Sequence, residues 1–118
     1  MGYEVHITRK PNWFDDAGPV ISLEEWIEYV LSDPEMQECY RWIDDEVPPR
    51  LALVDVAGWK AHPTNSRVYL CHVEDRNSTR DPDNATLKKM HKIAIVLNAR
   101  VQGHEGEEYN EEGATLSS

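Results

Sequence analysis

Several features that define common protein classes are missing from this chain. It has only two cysteines, Cys39 and Cys71, which is too few for a disulfide scaffold, and their spacing is not that of a metal site. No apolar run approaches the length that spans a membrane, and the first residues contain no apolar segment typical of a signal peptide. We therefore expect a reduced, cytoplasmic protein.

Basic residues are also scarce. The 118 residues include 22 acidic and 12 basic side chains, so the net charge is −10 and the isoelectric point is near 4.8. Because nucleic acids and anionic membranes are bound through clustered Lys and Arg, the composition disfavours both as direct partners. The sign of the charge instead favours a basic protein partner.

The negative charge is concentrated in two segments. Residues 10–46 carry eleven acidic and two basic side chains, a net of −9, and residues 104–118 carry five acidic and no basic ones, a net of −5. Residues 47–103 carry five acidic and nine basic side chains, a net of +4. If the two acidic segments meet in the fold, they form a strongly negative surface.

Hydrophobic periodicity predicts two helices and several strands. One helix begins at Ser22, where Glu25 completes a capping box, and the second covers about residues 85–98 with an apolar stripe at helical spacing. Strands are predicted from the apolar patterns of residues 3–10, 51–57, 67–73 and 99–103. Residues 74–84 are predicted to form a polar loop, and Pro34 either ends the first helix or starts a short helix over residues 35–42.

These elements predict an α+β fold in which two helices pack on one face of a mostly antiparallel, 4–5-stranded sheet. The length of the chain favours a single domain over residues 1–118, with residues 110–118 as a flexible acidic tail. The pattern leaves the role of residues 33–50 and the oligomeric state open.

Both ends of the chain resemble one group of small bacterial proteins of unknown function. The start carries YEVHITR, NWF and ISLEEW between Tyr3 and about Ser32, and the end carries KKMHKIAIVLNARVQGHEGEEY up to Tyr109. The middle, including ECYRWIDDEVPPR, matches no pattern of this group. Some of its members resemble immunity proteins that neutralise toxins in bacterial competition. The resemblance therefore implies an inhibitor that binds a toxin or effector, and it implies no catalytic residue.

Patterns that indicate catalysis are absent or weak. The chain has no G-x-S-x-G, P-loop or dinucleotide-binding motif. Cys71 and His72 are neighbours on a predicted strand, so their side chains face opposite sides and cannot form a nucleophile–base pair. His104 and the glutamates after it offer metal ligands, but they lie in one short loop and lack a second histidine at H-E-x-x-H spacing. We expect no catalytic residue, metal ligand or cofactor; a metal-dependent hydrolase that uses His104 is the alternative.

Binding of a basic toxin or effector enzyme is the favoured function, with a housekeeping protein that has no toxin partner as a further alternative. Interface centres are rich in Trp, and this chain has four, of which Trp26 belongs to the stripe of the first helix. Trp42 stands just before Ile43 and an acidic cluster, and Trp59 lies in a turn-rich segment; these rings either contact a partner or close the edge of the core. The candidate partner-binding residues are Trp42, Asp44, Asp45, Glu46, Trp59, Glu105, Glu107 and Glu108.

Overall fold

The structure is a computed structural model that describes residues 3–43, 47–48, 50–64 and 68–115; the side chains of residues 40–43 and 50–54 are outside the described set. Seven strands and two helices occur in these residues. The strands are β1 (Glu4–Thr8), β2 (Met36–Ile43), β3 (Arg50–Trp59), β4 (Val68–Val73), β5 (Arg76–Arg80), β6 (Arg100–Gly103) and β7 (Glu108–Tyr109). The helices are α1 (Leu23–Ser32) and α2 (Asn84–Val96).

The strands form one sheet in the order β2-β3-β4-β5-β1-β6-β7, and each neighbouring pair is antiparallel. The α+β class and the antiparallel pairing predicted from the sequence are confirmed, but the predicted number of 4–5 strands is wrong. One reason is β5, whose polar sequence RNSTR lies in the segment predicted to be a loop. Because β5 is hydrogen-bonded between β4 and β1, neighbouring strands override its weak intrinsic preference for strand.

The core joins alternate residues of the strands with the apolar stripes of both helices. Val5 and Ile7 of β1 and Val101 of β6 point to the same side of the sheet by register and are buried. They share one apolar cluster with Trp26 of α1 and Met90 of α2. Helix α1 contacts β2 and β3, and α2 contacts β1 and β6. That both helices cover one face of the sheet stays a prediction.

The local signals at the helix ends behave as predicted. The Ser22 Oγ accepts a hydrogen bond from the Glu25 backbone N–H at 3.1 Å, and the Glu25 carboxylate accepts one from the Ser22 N–H at 3.2 Å. This pair is the predicted capping box, which satisfies two backbone N–H groups at the start of α1. After α2, Asn98 has a φ of 55°, the left-handed conformation expected there.

Residues 33–50, whose role the sequence leaves open, contain an edge strand. The alternative of a second short helix after Pro34 is wrong, because residues 36–43 form β2. Met36 pairs with Trp59 at one end of the β2–β3 hairpin, and Ile43 pairs with Arg50 at the other. The long apolar β3 offers this segment backbone partners on both sides of an irregularity at Cys39, which a short isolated helix lacks.

The chain after β7 turns back on the body. The Asn110 N–H donates to the Ala114 carbonyl at 2.8 Å, and the Asn84 side-chain amide donates to the Glu112 carbonyl at 2.8 Å. The flexible tail predicted for residues 110–118 stays a prediction. Within the described residues, neither helix is long and apolar enough to cross a bilayer.

Candidate functional site

The loop of residues 10–18 after β1 folds over the side of the sheet opposite the apolar core. By register, His6, Ser78 and Gln102 are neighbours on β1, β5 and β6 and point to this side. The Trp13 ring lies over the row, with its centroid 4.3 Å from that of His6 and 4.7 Å from that of His104. The rings of His6, Trp13 and His104, tilted by 31–46° to one another, therefore form one cluster over this row of polar side chains.

Gln102 fixes the loop through both ends of its side-chain amide. Its Oε1 accepts a hydrogen bond from the Trp13 backbone N–H at 2.7 Å, and its Nε2 donates to the Pro11 carbonyl at 3.0 Å. The indole N–H of Trp13 donates to the His104 carbonyl at 3.0 Å. Gln102 is fully buried, so its two hydrogen bonds to the loop are largely shielded from water and help to fix the backbone at Trp13.

An ion pair ties the same loop to the turn between β4 and β5. The ammonium of Lys10, which is buried, pairs with the Asp75 carboxylate and donates to the Asp15 carbonyl at 2.8 Å. Burial raises the pKa of the Asp75 carboxyl, but the hydrogen bond and charge of Lys10 outweigh it and hold the pKa below its usual value. Next to this pair, the Arg76 guanidinium lies 4.9 Å from the Trp13 ring centroid.

His6 is fully buried beneath Trp13. Its Nδ1 lies 2.6 Å from the Ser78 Oγ, and its Nε2 has no hydrogen-bond partner among the described residues. Burial, followed by the charges of Arg76 and His104, lowers the pKa of His6 to about 4, so the imidazole is neutral near pH 7. The Ser78 side chain is also buried, at 4% exposure, so this pair presents no nucleophile that a substrate can reach.

Cys71 and His72 face opposite sides of the sheet, as predicted. The His72 Nε2 lies 2.6 Å from the Ile21 carbonyl on the core side, while Cys71 pairs with Ser78 on the other side. Burial and the nearby negative charge of Asp55 raise the pKa of the Cys71 thiol. A raised pKa leaves less thiolate near neutral pH, so this cysteine is less reactive than a free one.

Phe14 is the exposed aromatic residue of the loop. Its side chain is 55% exposed and lies edge-on to the Trp13 ring, with 5.6 Å between centroids. It also approaches Gly106, where an added Cβ would lie 3.6 Å from the Phe14 ring. Trp13 is itself fixed by Gln102, so Phe14 is presented on a rigid support.

An open depression of about 320 Å³ lies beside Phe14. Its lining residues are Lys10, Trp13, Phe14, Asp15, Asp16, Glu74, Asp75 and Arg76. Both cations are engaged within the fold, since Lys10 pairs with Asp75 and Arg76 approaches the Glu74 and Asp75 carboxylates at 3.5 and 3.4 Å. Asp16 and Glu74 are exposed. We call Phe14, Asp15, Asp16 and Glu74 the Phe14 surface. On this surface an exposed aromatic ring lies beside carboxylates.

The three C-terminal glutamates predicted to bind a partner have different surroundings. Glu105 is exposed and directly precedes Gly106, next to the Phe14 surface. Glu107 accepts hydrogen bonds from the hydroxyls of Tyr3 at 2.5 Å and Tyr109 at 3.3 Å. Burial and this carboxylate raise the pKa of Tyr109 to about 12. Glu107 therefore serves the fold locally.

Glu108 forms an ion pair with Arg100 at 3.0 Å on the neighbouring strand. Trp59 is 7% exposed, and its indole N–H donates to the Glu35 carboxylate at 3.1 Å. The ring thus closes the edge of the core, and its predicted role in binding a partner stays a prediction. The side chain of Trp42 and the residues Asp44, Asp45 and Glu46 lie outside the described set.

The two acidic segments meet in part, and at a place the sequence does not indicate. β2, which contains Trp42, and β7, which contains Glu108, form opposite edges of the sheet. Instead, the 10–18 loop of the first segment contacts the start of the second, through the bond from Trp13 to His104. The partner-binding residues predicted from the sequence do not include the Phe14 surface. The segment WFDD, which places aromatic and acidic residues together in a loop, is the signal that could have indicated it.

No three His, Cys, Asp or Glu side chains converge on a possible metal position in the part of the chain that the structure describes. No protein-family model matches the chain, and comparisons with curated proteins and with solved structures found no significant match. The resemblance of the chain ends to a bacterial family stays a prediction.

Proposed function

We propose that this protein is an acidic binding module that docks a basic protein, as an immunity-type inhibitor does when it occludes a toxin or effector enzyme in the cytoplasm. The observation that carries this proposal is the exposed, rigidly supported Phe14 beside exposed carboxylates. Aromatic side chains at the centre of an interface supply much of its binding energy, and a pre-positioned ring loses little conformational freedom on binding.

The charge around Phe14 fits a basic partner. Asp16 and Glu74 are exposed. The depression is lined by four carboxylates and only two cations, so its net charge is negative even though Arg76 pairs with Glu74 and Asp75. Carboxylates compete well with a polyanion for a basic groove, and opposite charge accelerates the encounter of two proteins. Both properties suit an inhibitor that must intercept a nuclease-like enzyme.

The experiment that tests this function is affinity capture of the tagged protein from its native cells at low and moderate salt, read by mass spectrometry. We expect one basic protein in near-equal amount, with recovery that falls as salt rises because the charges are screened. Recovery of no basic protein at either salt concentration would contradict the proposal.

Two double charge-reversal variants test whether the captured protein binds at the Phe14 surface. The variant Asp16→Lys/Glu74→Lys changes the net charge as much as Glu111→Lys/Glu112→Lys, so global charge is matched. We expect loss of the captured protein only with the first pair. The triple change of Asp44, Asp45 and Glu46 to Lys, suggested by the sequence, tests the other acidic segment in the same assay.

The alternatives have no specific observation in their favour. A metal-dependent hydrolase needs converging ligands, and the His104 ring instead lies 4.7 Å from the Trp13 ring. A stoichiometric divalent ion that stays bound during dialysis against a weak chelator would favour that alternative over the binding module.

A further inference from the structure

The side of the sheet that carries the 10–18 loop is covered only in part by the residues that the structure describes. Under the loop, Ser78 and Gln102 are buried. Cys71 is the register partner of Ser78, so alternate residues of β4 point to this same side. They are Tyr69 and Val73, which are 52% and 37% exposed, and Cys71, which is half-buried. We call these three residues the β4 stripe.

A depression of about 310 Å³ lies along the β4 stripe, and we call it the β4 depression. Glu4 and Arg80, which are register partners on β1 and β5, contribute one acidic and one basic side chain to its lining. Cys71 and Val73 contribute apolar surface. Because its two charges balance, this depression suits an apolar side chain of a partner better than a charged one.

The β4 depression adjoins the Phe14 surface. Val73 lines the β4 depression, and its register partner Arg76 lines the depression beside Phe14. Glu74, which belongs to the Phe14 surface, follows Val73 directly in the chain. A single partner can therefore contact both places through one continuous surface.

Tyr69 is supported from below by the backbone of β3. Its register partner there is Gly58, and an added Cβ at Gly58 would lie 3.4 Å from the Tyr69 ring. The Thr79 hydroxyl donates a hydrogen bond to the Tyr69 carbonyl at 2.7 Å. Like Phe14, Tyr69 is thus an exposed aromatic ring on a fixed support, and such a ring loses little conformational freedom when it binds.

The Phe14 surface is too small to form a complete interface. A specific interface covers about 800 Å² and roughly 20–30 residues of each partner, whereas the Phe14 surface has four residues. The contact must therefore extend over neighbouring side chains, and aromatic residues are enriched at the centre of interfaces. The β4 stripe supplies aromatic and apolar side chains next to the carboxylates that fit a basic partner.

We propose that the basic partner contacts the Phe14 surface and the β4 stripe together. An apolar side chain of the partner enters the β4 depression, and its basic side chains contact Asp16 and Glu74. This inference rests on the proposed function and deepens it, because it states what the partner carries: an apolar residue beside Lys or Arg residues. A partner held by charge alone would use the carboxylates and leave β4 uncovered.

The thiol of Cys71 reports whether the partner covers the β4 depression. The variant Cys39→Ser leaves Cys71 as the only cysteine of the chain, so its alkylation by iodoacetamide can be followed by mass spectrometry. With the captured partner at about ten times its dissociation constant, only about one tenth of the protein is free, and we expect alkylation to slow about tenfold. Unchanged alkylation in the complex would overturn the inference.

Val73→Lys and Val96→Lys form a matched pair, since each adds one positive charge at an exposed valine. Val96 is 67% exposed on α2, away from the β4 stripe. We expect Val73→Lys to weaken binding of the captured partner by about tenfold or more, because it places a cation against a basic protein, and Val96→Lys to change binding by less than about threefold. Equal affinities of the two variants would count against the inference.

If Val73→Lys does not fold, Tyr69 supplies the test. Tyr69→Ala removes the exposed ring and should weaken binding by about tenfold or more, whereas Tyr69→Phe keeps the ring and should bind within a few-fold of the wild type. Equal binding by these two variants would overturn the inference. A captured basic partner that neither protects Cys71 nor responds to these substitutions contradicts this inference alone. Failure to capture any basic protein contradicts the proposed function, and this inference with it.

Discussion

Acidification should destabilise the folded protein through His6. The pKa of His6 lies at about 4 in the folded protein and at 6.5 in the unfolded chain, because the imidazole is buried beneath Trp13 and faces Arg76 and His104. As the pH falls below 6.5, the unfolded chain binds a proton that the folded protein excludes. Stability is therefore complete above pH 6.5, decreases as the pH falls, and reaches its lower limit near pH 4.

The size of the expected destabilisation follows from the pKa shift of His6. One pKa unit corresponds to about 1.4 kcal/mol, so the full shift lowers the free energy of unfolding by about 3 kcal/mol, of which about 2 kcal/mol is lost between about pH 7 and pH 5. Urea unfolding at a series of pH values measures this loss. The window lies above the range in which carboxyl groups titrate in the unfolded chain, so most of their contribution is avoided.

Two variants identify the group responsible. His6→Gln removes the titrating imidazole, so its free energy of unfolding should change less between pH 7 and pH 5 than that of the wild type, by about 2 kcal/mol. Ser78→Ala removes the hydrogen bond at 2.6 Å but keeps the imidazole, so it should be less stable yet retain the pH dependence. The reasoning is refuted if the wild type and His6→Gln lose the same free energy over this range.

Three further substitutions should lower the free energy of unfolding measured in urea. Lys89→Met should cost about 3 kcal/mol, because Lys89 is buried and its ammonium lies 2.7 Å from Asp33, which would be left without its cation; an unchanged midpoint would contradict this role. Ser22→Ala should cost about 1 kcal/mol by removing the helix cap, and a cost near zero would mean that the capping box does not stabilise α1. Gly103→Ala should cost about 1–3 kcal/mol, because the added Cβ would lie 2.2 Å from the Glu107 carboxylate and push this carboxylate away from the tyrosine hydroxyls that it binds. Wild-type stability of this variant would show that the turn adapts without loss of these hydrogen bonds.

Elements with a complete local signal were predictable from the sequence. The first helix carries its capping box and apolar stripe within one short segment, and the second carries its stripe and Asn98 at its end. Both depend on contacts between near neighbours in the chain, which periodicity detects. β6 was predictable for a similar reason, since Val101 alternates with polar residues and is buried.

Other elements depend on contacts between distant residues. β5 is a strand because β4 and β1 lie on either side of it, which its polar sequence does not indicate. The Trp13 loop is positioned by Gln102, 89 residues further along the chain, so its place over His6 could not be inferred from local pattern. Trp59 lies at the end of a strand and not in the turn-rich segment after it, and its burial depends on contacts that this segment does not indicate.

The central claim is that Phe14 anchors a basic partner protein. The most direct measurement is the dissociation constant of the captured partner for Phe14→Ala, compared with Ile95→Ala, which truncates an apolar side chain that is 65% exposed on α2. We expect Phe14→Ala to weaken binding by about 30-fold or more, equivalent to about 2 kcal/mol, and Ile95→Ala to leave it unchanged. Equal affinities of the two variants and the wild type would contradict the claim.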